Sequence, residues 1–329
     1  MIYYIYNRVS LNPRRLRISM KRIAIVAVVG CAVLLIYAYS AIGQNQTQAI
    51  QGQRIGRGSD SSRVGALPDA DAPVPIRSID GVTTVRDGDY TIDDTRPLEQ
   101  ATKLLERKLG VPIWYEDPQW AFSGDLIQAA DLPANRELVA KNPSWRGPLV
   151  PRGGSMFLTF PTTLSEFKAA HPIKLFETAI ASHGQLRNSA TFKVVQFGEN
   201  EFSIVGIRAA SKEGRLVDQV PPLDRRITFP AADRTLADTL KLICDSINVR
   251  LMVEFRGGPE KSRHVMIGSN NEVAREVLAR AMRLPGGMKI SWVLSYMPDL
   301  QAYILGLRAA QAEIMNANGT ELQTLYWPK

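Results

Sequence analysis

The sequence predicts an α+β protein built from two tandem β-α-β-β-α-β-β units, with helices packed on small mixed sheets after an N-terminal signal or anchor helix. Three observations predict this class. The strings "VGIRAA" at Val205–Ala210 and "LGLRAA" at Leu305–Ala310 lie 100 residues apart. A helix-then-strand pattern recurs at a spacing of 138 residues, and each copy closes with a hairpin. Self-similarity of this kind indicates repeated structural units.

Residues 1–43 predict a signal peptide or a membrane anchor. Lys21 and Arg22 precede the apolar run of residues 23–42, and small residues stand one and three positions before Gln44, as a signal peptidase prefers. Twenty apolar residues also suffice to span a bilayer, so an uncleaved inner-membrane anchor stays open. Both alternatives place the body outside the cytoplasm, in the periplasm or cell envelope.

The basic excess of the chain lies mostly in this N-terminal segment. The sequence has 40 basic and 32 acidic residues, for a formal charge of +8. Six basic residues and no acidic residue fall within residues 1–43, so the rest of the chain carries only +2. A nucleic-acid-binding protein needs a clustered basic face in its folded part. We therefore expect no nucleic-acid partner.

No residue pattern predicts catalysis, a cofactor or a metal. Cys31 lies in the apolar run, which leaves Cys244 as the one cysteine of the exported part, at an apolar helix position typical of a buried structural thiol. None of His171, His183 and His264 has a second ligand at the spacing of a helical zinc site. Nucleophile-elbow and phosphate-loop motifs are missing too. The sequence predicts a protein that is not an enzyme, without cofactors.

The first unit is predicted to follow a disordered linker. Residues 44–80 are rich in Gln, Gly, Ser, Asp and Pro and show no period, which is typical of disorder. The first unit, residues 81–218, begins with "TTVRDGDYTI", a strand pair that turns at its Asp-Gly dipeptide. A helix capped by Thr95 and ended by Gly110 follows, with apolar residues at helical spacing. An alternating strand comes next.

The second unit, residues 219–310, repeats this order. "DRTLADTLKLICDSINVRLMVEF" matches the first helix and strand, with Asn248 in place of Gly110 at the left-handed helix end. The strand "HVMI", the helix "NEVAREVLARAM" and a hairpin follow, and their first-unit counterparts are "SMFLTF", "HPIKLFETAIASH" and the hairpin that ends in "VGIRAA". The spacing falls from 138 to 100 because the first unit carries an insertion at about residues 118–155. Residues 311–329 are predicted as a C-terminal tail.

The second unit resembles the secretin and TonB short N-terminal (STN) domain. The resemblance is carried by "ITFPAADRTLADTLKLICDSINVRLMVEF", "VMIGSNNEVAREVLARAM" and "ISWVLSYMPDLQAYILGLR", and it covers about 80 residues. The first unit resembles the family more weakly and departs from it through the insertion. The resemblance implies a periplasmic STN-like domain that makes protein contacts, either in ring assembly or in signalling to an inner-membrane partner.

Five residues are candidates for an interaction surface. Alternation along the strand after the first helix predicts that Trp114 and Glu116 point away from the helices, where the insertion's Trp120 and Trp145 could join Trp114 in an aromatic patch. The alternative is that the insertion packs over Trp114 and hides it. Arg152 lies in "LVPRGG", which is predicted to be an exposed, cleavable loop.

These patterns favour a non-enzymatic, exported cell-envelope module that binds a protein partner through a sheet edge or an aromatic face. The alternative is a small-molecule or glycan binding protein that uses the aromatic insertion. The expected partners are a cell-envelope protein and, if the N-terminal segment is not cleaved, the membrane.

Overall fold

The computed structural model describes residues 78–79, 82–86, 88–161, 163–187, 190–248, 250–255, 262–283, 286–316 and 319–328. The predicted signal or anchor (1–43) and nearly all of the predicted linker (44–80) lie outside the described residues. Within the described ranges, no helix is long and apolar enough to cross a membrane. All described residues belong to one compact unit.

Helices and short strands alternate through the described chain, which confirms the α+β class. The N-terminal half contains β1 (Ser78–Ile79), β2 (Val82–Arg86), β3 (Asp89–Asp94), α1 (Pro97–Leu109), β4 (Ile113–Glu116), β5 (Leu126–Gln128), α2 (Arg136–Lys141), β6 (Leu149–Pro151), β7 (Gly154–Thr159), α3 (Leu164–Ala169), α4 (Pro172–His183), β8 (Thr191–Gly198), β9 (Glu201–Ala210) and β10 (Leu216–Asp218). The C-terminal half contains β11 (Arg226–Thr235), α5 (Leu236–Ser246), β12 (Leu251–Phe255), β13 (His264–Val273), α6 (Ala274–Met282), β14 (Ile290–Met297), β15 (Ala302–Ala309), β16 (Gln311–Asn316) and β17 (Gly319–Thr324).

The first predicted helix forms as α1, but its N-terminus differs from the prediction. Thr95 does not cap it; the capping position is Arg96, whose backbone N–H donates to Asp94 Oδ1 at 2.7 Å. Pro97 occupies the first turn, where its missing N–H costs nothing. Gly110 ends the helix with φ +68°, the left-handed conformation that glycine adopts without strain.

The corresponding helix in the C-terminal half is α5. Thr235 caps it by accepting a hydrogen bond from the backbone N–H of Asp238 at 3.1 Å. Asn248 follows the helix with φ +47°, so the predicted left-handed residue is confirmed there.

A seven-stranded mixed sheet joins both halves of the chain. Its strand order is β10-β9-β4-β14-β15-β12, with β8 paired to β9. Strand β4 runs parallel to β9 on one side and to β14 on the other, so β4 and β14 are where the halves meet. Phe176 of α4 packs on Phe202 of β9 on one face, and Arg275 of α6 reaches Glu116 on the other.

Smaller sheets surround this central one. Strands β1-β2-β3-β7 form a four-stranded sheet, and β11-β13, β5-β6 and β16-β17 form pairs. The insertion therefore contains the β5-β6 pair and α2. The predicted C-terminal tail folds as the β16-β17 hairpin instead. Its Glu313 carboxylate lies 2.6 Å from Lys108 Nζ of α1, and the indole N–H of Trp327 donates to the carbonyl of Met282.

The two similar strings do not occupy equivalent positions in the sheet. In the N-terminal half, β4 places Tyr115 opposite Ile204. In the C-terminal half, β12 places Val253 opposite Leu305. Tyr115 and Val253 are 138 residues apart, as predicted, whereas Ile204 and Leu305 are 101 apart rather than 100. A shift of one residue exchanges the two faces of a strand, so matching letters alone do not identify matching positions.

Candidate functional site

Trp114 lies at the junction between the two halves of the sheet. Its side chain is only 1% exposed, and its ring stacks between Trp292 at 4.0 Å and Phe197 at 4.5 Å between centroids. The indole N–H donates to the carbonyl of Ile290 at 3.1 Å. The expected exposed position of Trp114 is therefore wrong, because β14 pairs with β4 and places Trp292 beside it. The rings beside Trp114 belong to β14 and β8 rather than to the insertion.

Glu116 is also buried at this junction, not on a recognition surface. Its carboxylate accepts hydrogen bonds from Arg275 Nε at 2.6 Å, Arg275 Nη2 at 2.7 Å and Ser203 Oγ at 2.9 Å. Arg275 is itself buried and also contacts Asp224. Burial alone would lower the pKa of Arg275, but Glu116 and Asp224 outweigh it and raise the pKa. Glu116 thus joins β4 to α6.

The adjacent carboxylate, Asp117, has a different set of partners. It accepts hydrogen bonds from Arg96 Nε at 2.7 Å, from the Tyr115 hydroxyl at 2.9 Å and from the backbone N–H of Tyr296 at 3.0 Å. Burial raises the pKa of Asp117, and Arg96 opposes that shift only in part. Glu116 and Asp117 therefore bind different arginines and do not converge on one reaction centre.

A third buried carboxylate, Glu106, was missed in the sequence. It accepts hydrogen bonds from the backbone N–H of Ile113 at 3.1 Å, from Ser291 Oγ and from Arg308 Nη1. These contacts connect α1 to β14 and β15. A weak signal existed, because Glu106 stands three residues before Leu109, on the side of the helix that carries this apolar residue.

The insertion residues do not form the expected aromatic patch. Trp120 is buried, Trp145 is half-buried and Arg152 is exposed. The ring partners of Trp114 are Trp292 and Phe197 instead. The Arg152 guanidinium donates to the carbonyls of Gly124 at 3.0 Å and Leu126 at 3.1 Å, so its side chain holds the β5-β6 pair.

The cysteine, histidine and carboxylate side chains offer neither a reactive thiol nor a metal site among the described residues. Cys244 is buried, which raises the pKa of its thiol to about 12 and confirms the predicted structural thiol. Among the residues that the structure describes, no group of three or more His, Cys, Asp or Glu side chains is arranged to hold a metal ion.

His183 gives the stability of the protein a pH dependence. The ring is buried at the end of α4, with its centroid 5.0 Å from that of Phe192, and burial lowers its pKa to about 4. Between that value and the ordinary pKa of about 6.5, the unfolded chain binds a proton that the folded protein does not. We expect the free energy of unfolding to fall as the pH drops from 6.5 through 4. Urea unfolding at several pH values in this range measures that change. The free energy of unfolding of His183→Gln should depend less steeply on pH than that of the unchanged protein. An equal pH dependence of the two proteins would contradict the assignment.

Among the residues that the structure describes, the aromatic side chain with the highest exposed fraction lies on strand β7. Phe157 is 70% exposed, while its neighbours Met156 and Leu158 are buried in the core. Strand β7 pairs with β3 along one edge, and no described strand pairs with its other edge. The sequence signal is the run "MFLTF", where Phe157 breaks the alternation of apolar and polar residues.

Strand β13 in the C-terminal half presents a similar residue. Met266 is 74% exposed between the buried side chains of Val265 and Ile267. Phe157 and Met266 belong to two strands, "SMFLTF" and "HVMI", that are counterparts in the sequence repeat. Exposed apolar residues on strands with a free edge are typical of surfaces that accept another chain.

No family model, curated protein or solved structure matches this chain. The resemblance to the STN domain stays a prediction from the sequence.

Proposed function

We propose that the chain is a non-enzymatic, exported cell-envelope protein of two tandem STN-like units that binds a protein partner by strand addition at the free edge of β7. The observation that carries this proposal is the exposure of Phe157 in the middle of that edge strand. The export part rests on the apolar run of residues 23–42.

Strand addition supplies both affinity and selectivity at such an edge. Every second backbone N–H and C=O of an edge strand points away from its sheet and can bond an incoming strand. Burying an exposed phenylalanine adds about 1.5–3 kcal/mol of apolar stabilisation. The side chains of Met156 and Leu158 are buried in the core and hold β7 in place, so the edge is already ordered in the unbound protein.

The arrangement of charged groups favours binding over catalysis. The buried carboxylates Glu106, Glu116 and Asp117 are each bonded to an arginine and to backbone or hydroxyl donors, which commits them to holding the two halves together. A catalytic carboxylate needs room for a substrate beside it. The raised pKa of Cys244 likewise disfavours a thiolate nucleophile.

The test is site-specific photo-crosslinking in the native cell envelope. A photoreactive amino acid at Ser155, an exposed position of β7, should capture a reproducible partner that mass spectrometry can identify. We expect Phe157→Ser to abolish this capture and Val220→Ser to leave it unchanged. Val220 is a matched control because it is 76% exposed and lies outside β7.

The stability of the variants separates recognition from unfolding. Because Phe157 is largely exposed, Phe157→Ser should change the free energy of unfolding by no more than about 0.5 kcal/mol. Capture of the same partner by Phe157→Ser would contradict the strand-addition site. Recovery of the protein in the cytoplasmic fraction would contradict export.

A further inference from the structure

The outward face beside Phe157 carries two carboxylates. Phe157 lies opposite Thr91 of β3, and the residues two positions before and after Thr91 are Asp89 and Asp93. Because alternate residues of a strand share a face, both carboxylates lie on the same side as Phe157. Asp89 accepts a hydrogen bond from Thr159 Oγ1 at 2.9 Å, and its cross-strand partner on β2 is Arg86, so Asp93 is the more open of the two acids. Among the described residues, none donates a hydrogen bond or forms an ion pair with the exposed Asp93.

We infer that the partner segment that adds to β7 is an extended basic peptide, with an apolar residue against Phe157 and lysine or arginine two positions away on each side. This inference rests on the proposed function and specifies the chemistry of the partner. An added strand places alternate side chains on the outward face, so the spacing of the two carboxylates matches the spacing of its residues.

The side chains between the added strand and the carboxylates leave room for this contact. Asp93 lies opposite Ser155 and Asp89 lies opposite Thr159, so only short side chains of β7 separate the new strand from either acid. The two backbones are about 10 Å apart, which is two strand spacings. Lysine and arginine have long flexible stems that can lie across a serine or threonine with the charged head at the carboxylate.

The second exposed apolar residue lacks an open carboxylate. Met266 lies opposite Asp233 in the β11-β13 pair. There His264 Nδ1 is 3.1 Å from Asp233 Oδ2, so that acid already has a neighbour in the protein. The inference therefore concerns the β7 edge, and Asp233→Asn serves as a matched control for loss of an acid elsewhere on the surface.

Three labelled eleven-residue peptides provide the test; each has valine at its centre and lysine, serine or glutamate two positions away on each side, with threonine at the other positions. Fluorescence anisotropy measures their binding to the full chain in detergent. We expect the lysine peptide to bind about tenfold more tightly than the glutamate peptide at low salt, since two exposed ion pairs are worth about 0.2–1 kcal/mol each and the glutamate peptide is also repelled. The preference should shrink as salt rises.

Variants of the protein locate the effect. Asp89→Asn with Asp93→Asn should reduce the preference for lysine to less than about threefold, whereas Asp233→Asn should leave it unchanged. Phe157→Ser should weaken the binding of all three peptides. Equal binding of the lysine and glutamate peptides, an unchanged preference in the double variant, or no binding of any peptide would overturn the inference. Phe157-dependent capture of a partner in the envelope would still support the proposed function in each case.

Discussion

Replacing Arg275 with alanine is expected to lower the free energy of unfolding by about 3–5 kcal/mol, because it leaves the buried carboxylate of Glu116 without its counter-ion. Arg275 donates two hydrogen bonds to Glu116, and both side chains are buried between α6 and β4. Among the described residues, Ser203 is the remaining side-chain donor to Glu116, and one hydroxyl does not neutralise a carboxylate. Urea unfolding followed by circular dichroism measures the change.

A double-mutant cycle shows whether the loss comes from this pair. Glu116→Gln alone should also destabilise the protein, because it removes one of the two carboxylates that pair with the buried Arg275 guanidinium and leaves only Asp224. Arg275→Met combined with Glu116→Gln should cost less than the sum of Arg275→Met alone and Glu116→Gln alone, by about 0.5–3 kcal/mol. Arg280→Met is the matched control, because its ion pair with Glu272 is on the surface and should contribute about 1 kcal/mol or less. Additive losses in the cycle would refute the coupling.

Trp114→Ala is expected to destabilise the protein by about 3–5 kcal/mol, the usual cost of removing a large buried aromatic side chain. The change removes the stack with Trp292 and Phe197 and leaves the carbonyl of Ile290 without its indole donor. Thermal and urea unfolding would measure the loss. Trp145→Ala, at a half-buried position in the insertion, should cost about 1 kcal/mol or less.

A binding defect in Trp114→Ala would therefore report lower stability of the protein and not the loss of a surface contact. A partner lost from that variant would be lost because the junction between the halves is weakened, whereas a partner lost from Phe157→Ser would be lost at the surface. Equal stability of Trp114→Ala and the unchanged protein would contradict the buried stack.

Local patterns predicted some helices and the residues that end them. Apolar residues at helical spacing predicted α1, and the Asn248 position predicted a left-handed residue after α5. Both depend on steric and hydrogen-bonding preferences within a few residues, which a single sequence carries. The prediction for Cys244 was equally local, because it used only the position of this residue on the apolar side of a helix. The thiol is buried, as predicted.

The sequence by itself determined the α+β class and, along β4, the side of the strand on which each residue lies. Alternation placed Trp114 and Glu116 on one face of β4 and Tyr115 on the other face, and the tertiary structure keeps that arrangement. What covers each side depends on pairing between residues far apart in the chain. Only the tertiary structure joined β4 to β14, so only it showed that Trp114 is buried while Phe157 is exposed. The physical reason is that side-chain direction is a property of the local backbone, whereas burial is decided by which distant strand or helix packs against that side.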